Sequence, residues 1–304
     1  MSIRGNILIT GGSGTLGHAT VRTAQAEHWD ATFTIYSRSE LRQAEMRARY
    51  PHCRYVLGDV RDYERLAAAC AGHDIIIHAA AMKRIPEAEA QPENCYAVNV
   101  LGSMNVARAA QAAGVARVVG ISTDKACLAA TAYGASKLAM EKLFQAQPST
   151  MTLFTLVRYG NVLASNGSVI PLWREQAAQG GVLTVTDPEM TRFWMTERDA
   201  VDMVDRATSE DAGAIVVPKM PSLSLRTMAS YIAPGAPFRI TGLRSCEKRH
   251  EDLVHGDECA LDRGGVFCLT LGAGTGLNYT SADAPRISRD AFLAMLAESE
   301  AAHA

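Results

Sequence analysis

Residues 122–137 read STDKACLAATAYGASK. They set two hydroxyls (Ser122, Thr123), a carboxyl (Asp124), an amine (Lys125), a phenol (Tyr133) and a second amine (Lys137) along a strand end, a short loop and a helix opening. Tyr133 and Lys137 are four apart, so on a helix they share a face. The Lys137 ammonium is then expected to favour the ionised form of the Tyr133 phenol, a group whose ordinary pKa is about 10. Such a pair would exchange a proton with a substrate hydroxyl. By itself the spacing also describes a solvated helix face, so the surrounding elements must decide.

The first of these is N-terminal. Residues 6–10 are apolar and branched like a buried strand; Thr10, Gly11, Gly12, Ser13, Gly14, Thr15, Leu16 and Gly17 lead into a helix-like stretch at 18–28. Gly12, Gly14 and Gly17 have GxGxxG spacing between strand and helix. That context suits a dinucleotide, because glycines admit the pyrophosphate to the backbone and the helix start offers unpaired N–H groups. A second strand, 31–37, ends in Ser37 and Arg38 where an NAD-preferring protein usually places an acid for the ribose. Arg38, with Arg42 a turn later, suits a 2′-phosphate instead, so the expected cofactor is NADP. A third strand, 53–58, runs into Asp59 and Val60, where an adenine could be met; Asp59 could also cap a helix at 62–70. The fourth, 75–81, ends in Ala79, Ala80 and Ala81, small enough for a cofactor to lie close, while His78 reads as a core histidine.

Helical periodicity over 96–113, a strand at 117–122, a helix at 133–147 and a strand at 151–158 complete an alternating pattern. It demands a parallel sheet covered by helices on both faces, an α/β doubly wound fold. We expect a dinucleotide-binding domain over 1–160 and a smaller substrate-binding region over 161–304, partly interleaved with the sheet and covering its carboxyl edge. Tyr159, Asn161, Val162, the turn to Ser168 and the loop at 187–188 look site-forming. Residues 190–196, MTRFWMT, are either a core strand with Arg192 exposed or a substrate-facing lid. A strand at 213–218, a helix at 223–232, a strand at 238–242 leading to 244–248 and an amphipathic helix at 288–300 follow.

A chain of 304 residues with 48% hydrophobic content can bury a sizeable core. Thirty basic against 32 acidic residues, without a basic run, suggest no nucleic-acid or membrane surface. Lacking an apolar run of membrane-span or signal length, the chain is expected in the cytoplasm. Seven cysteines with no CxxC pair suit buried reduced thiols. His255, Asp257, Glu258 and Cys259 lack a spaced second pair, so no metal is expected. Gly272, Gly274 and Gly276 imitate a phosphate loop with no helix directly after it and read as a flexible turn.

A dinucleotide turn combined with Tyr133 and Lys137 after the fifth strand resembles the extended short-chain dehydrogenase/reductase superfamily, in which the Tyr is acid/base and the Lys supports it. Ser122 or Thr123 matches the hydroxyl that shares the substrate's proton. More narrowly, ITGGSGTLG (9–17), YSRSELRQAEM (36–46), GDVRD (58–62), HAAAMKRIPEAEAQPENC (78–95), STDKA (122–126), YGASK (133–137), VRYGNV (157–162), MTRFW (190–194) and VPKMPS (217–222) resemble the inverting UDP-N-acetylglucosamine 4,6-dehydratases of pseudaminic acid biosynthesis. The blocks keep their order over nearly the whole chain.

The resemblance implies an internal redox cycle with tightly bound NADP. Tyr133 would take the proton of the sugar 4-hydroxyl while hydride passes to the cofactor. Lys125 would then remove the hydrogen at carbon 5 as Asp124 protonates the departing 6-hydroxyl, and hydride would return to carbon 6 with inversion at carbon 5. Related dehydratases carry Thr-Asp-Glu where this chain has Thr123-Asp124-Lys125. Lys125 replaces that Glu as base only if burial, Lys137 or other cations depress its pKa. By the same resemblance Ser37 and Arg38 hold the 2′-phosphate and Asp59 and Val60 the adenine, with Lys83, Tyr159, Asn161 and Val162 also toward the cofactor. Met82, Lys83, Asn161, Ser168, Val169, Arg192, Arg244 and Glu247 are implied for the sugar nucleotide, and a homo-oligomer is implied. The chain departs from the pattern at Cys127, Leu128 and Ala129, where the family has Ala-Asn-Pro, and at 244–248, where RPGEK reads RSCEK. Its C-terminal region is also shorter. The competing readings are a nucleotide-sugar epimerase, a 5-retaining dehydratase, or a non-catalytic NADP-sensing protein; Lys125 separates the first two from the inverting reaction.

Overall fold

The computed structural model describes residues 3–147, 151–163 and 169–302. Strands β1 (Gly5–Thr10), β2 (Ala31–Ser37), β3 (Arg54–Leu57), β4 (Ile75–His78), β5 (Arg117–Thr123) and β6 (Leu153–Tyr159) run parallel in the order β3-β2-β1-β4-β5-β6. Their nearly continuous apolar runs are what a sheet covered on both faces requires. Helices Thr15–Ala26, Glu40–Arg49, Tyr63–Cys70, Gly102–Ala112 and Ala132–Gln145 form the crossovers. The strand order turns back between β1 and β4, so the loops after these two strands diverge and leave a crevice at the carboxyl edge. This is a Rossmann-type doubly wound sheet.

The sheet continues beyond β6. Ile215–Pro218 adds a parallel strand, and the hairpin of Cys259–Asp262 and Val266–Thr270 extends it antiparallel. The C-terminal part of the chain therefore completes the sheet while also supplying a second core around Trp173, Trp194, Met228 and Phe292. Within it, Thr191–Met195 is a strand with Phe193 and Trp194 buried, as in the core-strand alternative for this segment, but Arg192 is only 11% exposed and not the free surface residue that alternative expected. No helix among the described residues is long and apolar enough to cross a membrane.

Three expectations need correction. β4 ends at His78 rather than at residue 81, because the Ala79 N–H turns to the Thr10 carbonyl and the Ala80 N–H to the Thr10 hydroxyl. The helix predicted from 96 begins earlier, as Pro92–Tyr96, then passes through a π-helical turn, Ala97–Leu101, before Gly102–Ala112. The π turn holds buried Asn99, whose amide accepts from the Met82 N–H (2.8 Å) and donates to the Met82 carbonyl (3.0 Å) and the Ser136 hydroxyl (2.8 Å). A polar residue in that apolar window needs such partners, and a π turn lets the side chain reach them. Thirdly, Cys53, Cys70, Cys95, Cys127 and Cys268 are buried thiols, but Cys246 is exposed and Cys259 half-buried, both in the C-terminal part of the chain.

β6 carries a charge into the core. Arg158, 1% exposed, donates from Nε and one terminal nitrogen to both Glu141 oxygens (2.9 and 2.7 Å) and from its terminal nitrogens to both Glu258 oxygens (2.9 and 2.7 Å) and the Leu253 carbonyl (3.0 Å). It joins the sheet, the helix Ala132–Gln145 and the C-terminal segment. Arg158→Met strips both carboxylates of their shared cation and should cost about 3–5 kcal/mol, read as a lower midpoint in urea unfolding. A midpoint unchanged from wild type would contradict this account of the core.

Candidate active site

The crevice begins at the turn after β1. Gly11 has a φ of +68°, and a Cβ there would stand 2.7 Å from the Ala80 backbone. A Cβ on Gly17 would lie 1.9 Å from the Gly12 carbonyl oxygen, so only glycine lets this helix start pack on the turn. The helix Thr15–Ala26 opens at Gly14 without a side-chain cap, which leaves its first N–H groups for a ligand. Ser13 donates to the Ser37 hydroxyl (2.9 Å), and Gln43 holds that same hydroxyl (3.0 Å) and the Ser37 carbonyl (3.2 Å), tying the turn to the end of β2. His78 is a satisfied core histidine between Thr10 (2.7 Å) and Ser103 (3.0 Å), pushed down to about 3 by burial.

Arg38 is 54% exposed and lies 3.6 Å from Asp59, which is also gripped by Arg61 at 2.7 Å. Burial would raise Asp59, but the Arg61 bonds and the Arg38 charge outweigh it and hold the carboxyl below its usual range. Asp59 does not cap the following helix; Asp62 does, accepting from the Arg65 N–H. Val60 is buried, and its carbonyl accepts from the Asn105 amide (3.0 Å). Although Lys83 is exposed at its surface, the protein around it and the Arg42 charge hold its ammonium below the usual range. Arg38, Arg42 and Lys83 thus bring cations to the carboxyl-edge loops after β2 and β4. With the small residues Ala79, Ala80 and Ala81, the open glycine turn and the uncapped helix start, these residues fit a nicotinamide dinucleotide.

The acid/base groups gather where β5 ends. Ser122 donates to Glu141 (2.6 Å), which removes it as the substrate hydroxyl and leaves Thr123. Thr123 donates to Asp124 Oδ1 (2.9 Å) and acts on the Tyr133 phenol, whose pKa it pulls down. Asp124 is fully buried; its Oδ1 also accepts from Lys125 Nζ (2.9 Å), while Oδ2 finds no donor among the described residues. Thr131 caps the helix Ala132–Gln145 and so fixes Tyr133 and Lys137, both buried. Tyr159 is buried, and burial first and the Tyr133 phenol second push its own phenol above the usual range.

Two electrostatic expectations are overturned. Lys137 does not meet the phenol: its Nζ donates to the Ile121 carbonyl at 2.6 Å, and burial pushes the ammonium down to about 8 against the pull of Glu141. Tyr133 is pushed up to about 12, because burial outweighs the opposing influence of Lys125 and Thr123. Lys125 is not depressed either. Burial alone would lower it, but Asp124 at 2.9 Å and Glu251 at 3.5 Å outweigh that and hold the ammonium above its usual range.

The C-terminal part closes over this cluster. Arg192 donates to the carbonyls of Thr191 (2.7 Å), Lys248 (3.0 Å) and Arg249 (3.1 Å) and lies 3.7 Å from both Glu247 and Glu251. It clamps the 244–251 loop, on which Arg244 is exposed and gives its backbone N–H to Glu247 (3.2 Å). Asn161 donates to the Phe193 carbonyl (3.1 Å), Met82 is held by Asn99, and Val169 packs against the second core. Ser168 lies outside the described residues. Of the group passed over as a metal site, Glu258 binds Arg158. The turn over 272–276 is hydrogen-bonded to Gly256 and Glu258 rather than loose. A cavity of about 530 Å³ beside Thr191, Arg249, His250 and Arg286 contains none of the acid/base groups.

Sequence reasoning missed Asn99, Glu141, Arg158 and Glu251. The first three carried a signal, a polar or charged residue inside an apolar periodic run, whereas Glu251 carried none.

A profile of a family described as polysaccharide biosynthesis protein matches residues 7–264. An inverting UDP-N-acetylglucosamine 4,6-dehydratase of Campylobacter jejuni is 42% identical over 264 residues, spanning 84% of this chain and 79% of that protein. A UDP-glucose 4-epimerase of Rickettsia akari is 38% identical over 295 residues, spanning 92% of this chain and 86% of that protein. The X-ray structure of Pen from Bacillus thuringiensis is 30% identical, with a TM-score of 0.90 and 98% of each chain covered. This chain belongs to the polysaccharide biosynthesis protein family, on an extended short-chain dehydrogenase/reductase fold.

Proposed function

We propose that the protein is a nucleotide-sugar 4,6-dehydratase that converts UDP-N-acetylglucosamine, with inversion at carbon 5, using NADP held through the whole cycle. What carries the reading is the grouping of Asp124, Lys125 and Thr123 against Tyr133. An epimerase needs only the phenol, whereas removal of water needs a proton donor and a base as well, the places that Asp124 and Lys125 take here. The likeness to the Campylobacter jejuni dehydratase supports the same choice. We assign cofactor binding to 1–160 and most substrate binding to 161–304, and read the protein as a cytoplasmic homo-oligomer.

NADP, when bound, supplies reversible acceptance and return of hydride. The chain's own groups handle the protons. Tyr133 takes the proton of the sugar 4-hydroxyl, shared through Thr123; the 4-keto group so formed acidifies the hydrogen at carbon 5. A phenol pushed up to about 12 needs help to ionise, and Lys125 and Thr123 already pull it down. Lys125 removes the carbon-5 hydrogen, and Asp124 gives a proton to the leaving 6-hydroxyl. Arg192, Arg244 and Glu247 are assigned to the sugar nucleotide, with guanidinium suited to a diphosphate.

Incubation with UDP-N-acetylglucosamine in heavy water tests the reaction by proton NMR. The expected product is a 6-deoxy-4-keto sugar, deuterated and inverted at carbon 5; a gluco-to-galacto change alone would establish the epimerase reading, which the Rickettsia akari likeness favours. Tyr133→Phe should slow 4-keto formation at least about 100-fold in initial-rate assays without loss of the folded state by circular dichroism. Arg38→Ser should weaken NADP+ binding to the cofactor-stripped protein by roughly 10- to 100-fold and leave NAD+ binding nearly unchanged in titration calorimetry. Equal loss for both dinucleotides would refute the 2′-phosphate assignment.

A further inference from the structure

Glu251 comes from the segment that the C-terminal part lays over the cleft, and no residue pattern pointed to it. It is 4% exposed. Its backbone is pinned on both sides: the Glu251 N–H donates to the Ser281 hydroxyl (2.8 Å), and its carbonyl accepts from the Ser281 N–H (2.8 Å). Ser281 in turn bonds Thr191, next to Arg192. One carboxylate oxygen lies 3.5 Å from Lys125 Nζ and 3.7 Å from Arg192 Nε; the other is buried with no donor among the described residues. Lys125 therefore stands between two buried carboxyls, Asp124 and Glu251, each with one oxygen on or near the amine and one without a donor.

That arrangement resolves a difficulty in the reaction assigned above, on which this inference rests. An amine held as ammonium between Asp124 and Glu251 has no lone pair with which to take a hydrogen from carbon. The geometry points to Glu251 as the group that receives the Lys125 proton, so that Asp124, Lys125 and Glu251 form one proton relay. Glu251 is a positioning and proton-holding residue in this scheme, acting through Lys125.

The proton count closes. A proton passes from Lys125 Nζ to the Glu251 carboxylate, and the freed lone pair takes the hydrogen at carbon 5. The electrons of that C–H bond move toward carbon 6 as its C–O bond breaks, and the Asp124 proton leaves with the hydroxyl as water. Asp124 is then a carboxylate, Lys125 an ammonium and Glu251 a carboxylic acid. Return of the Glu251 proton through Lys125 to Asp124 restores these three groups, the carbon-5 proton having replaced the one that Asp124 lost with the water; the proton that Tyr133 took from the 4-hydroxyl goes back to solvent as solvent delivers one to carbon 5. The charged groups facing the amine agree with this traffic. Burial raises the Glu251 carboxyl, opposed by Lys125, Arg192 and Lys248, which makes it a readier proton acceptor than an exposed carboxylate. Arg192 and the Tyr133 phenol are the other titratable neighbours of Lys125.

The test follows two steps separately in wild type, Glu251→Gln and Glu251→Asp. Reduction of the bound nicotinamide on mixing with UDP-N-acetylglucosamine is read by its near-ultraviolet absorbance, and deuterium uptake at carbon 5 by NMR. In Glu251→Gln, uptake at neutral pH should fall roughly 100-fold while nicotinamide reduction stays within about twofold of wild type. The residual uptake should climb about tenfold per pH unit into the alkaline range, since solvent must now take the proton that Glu251 took. Glu251→Asp should recover part of the loss, and if the Gln variant does not fold, the Asp variant must by itself show slowed uptake with the alkaline climb. Unchanged or faster uptake in Glu251→Gln overturns the proposal, because Glu251 would then only be holding the ammonium. So does an equal fall of both steps with a flat pH profile, the signature of a structural role. A wild type that reduces its cofactor yet never deuterates carbon 5 instead removes the dehydratase reading and this relay with it, an outcome visible without any variant.

Discussion

One guanidinium sets the relation between the two sides of the cleft. Arg158 is held in the core by Glu141, from the helix that carries Tyr133 and Lys137, and by Glu258, from the segment that carries Glu251. Charges this deep are tolerated only when every donor and acceptor is matched. Here Ser122 adds a donor to Glu141, the His255 N–H adds one to Glu258, and Arg158 gives its remaining capacity to the Leu253 carbonyl. Because the bonds are bidentate, they fix direction as well as distance, and the helix cannot shift relative to the C-terminal segment without leaving a carboxylate unpaired.

The electrostatics of the cleft follow from what that clamp brings together. Tyr133, Lys125 and Glu251 are all moved in the direction of holding their protons. For the phenol and Glu251 burial is the leading cause; for Lys125 it is the two carboxylates, acting against burial. A cleft in that condition resists simple proton loss to solvent and favours transfer between neighbours, because moving a proton within the group changes no net charge in a medium that penalises charge. Internal exchange is what a reaction with no net consumption of protons by the protein requires.

The sheet was legible because its information is local. Buried parallel strands are apolar runs, a glycine turn punctuates the first of them, and β2 was placed at its full extent. What escaped were features decided at long range. The end of β4 depends on Thr10, and the π turn depends on Asn99 reaching Met82. The i, i+4 spacing of Tyr133 and Lys137 put both on one helix face, which the structure buries, but it could not say where a four-carbon side chain would deliver its charge. The Lys137 ammonium found the Ile121 carbonyl, and the cation left to act on Tyr133 came from Lys125 in the preceding loop. Glu251 was invisible for a plainer reason: a carboxylate before a short strand has no distinguishing spacing, and its meaning arises only when Ser281 and Arg192 hold it against Lys125.

The departures from the family pattern also take on a physical meaning. Leu128 stands where the pattern has Asn, and Cys246 where it has Gly; both adopt left-handed backbone, with φ of 48° and 61°. Asn and Gly are the residues that enter this region most easily. The chain therefore adopts left-handed backbone at both positions without the residues that favour it, at about 1–2 kcal/mol per position. The two loops meet: Lys248 Nζ donates to the Cys127 carbonyl at 2.7 Å and pairs with Asp252 at 3.1 Å. Contact between them gives a reason for the strain to be tolerated, since a relaxed path for one loop would pull away the partner that closes the cleft over Lys125 and Glu251. What changes is the surface each loop presents, an exposed leucyl side chain and an exposed thiol in place of an amide and a hydrogen. Any difference in the sugar accepted should thus be sought at these two side chains, and not in the acid/base cluster behind them.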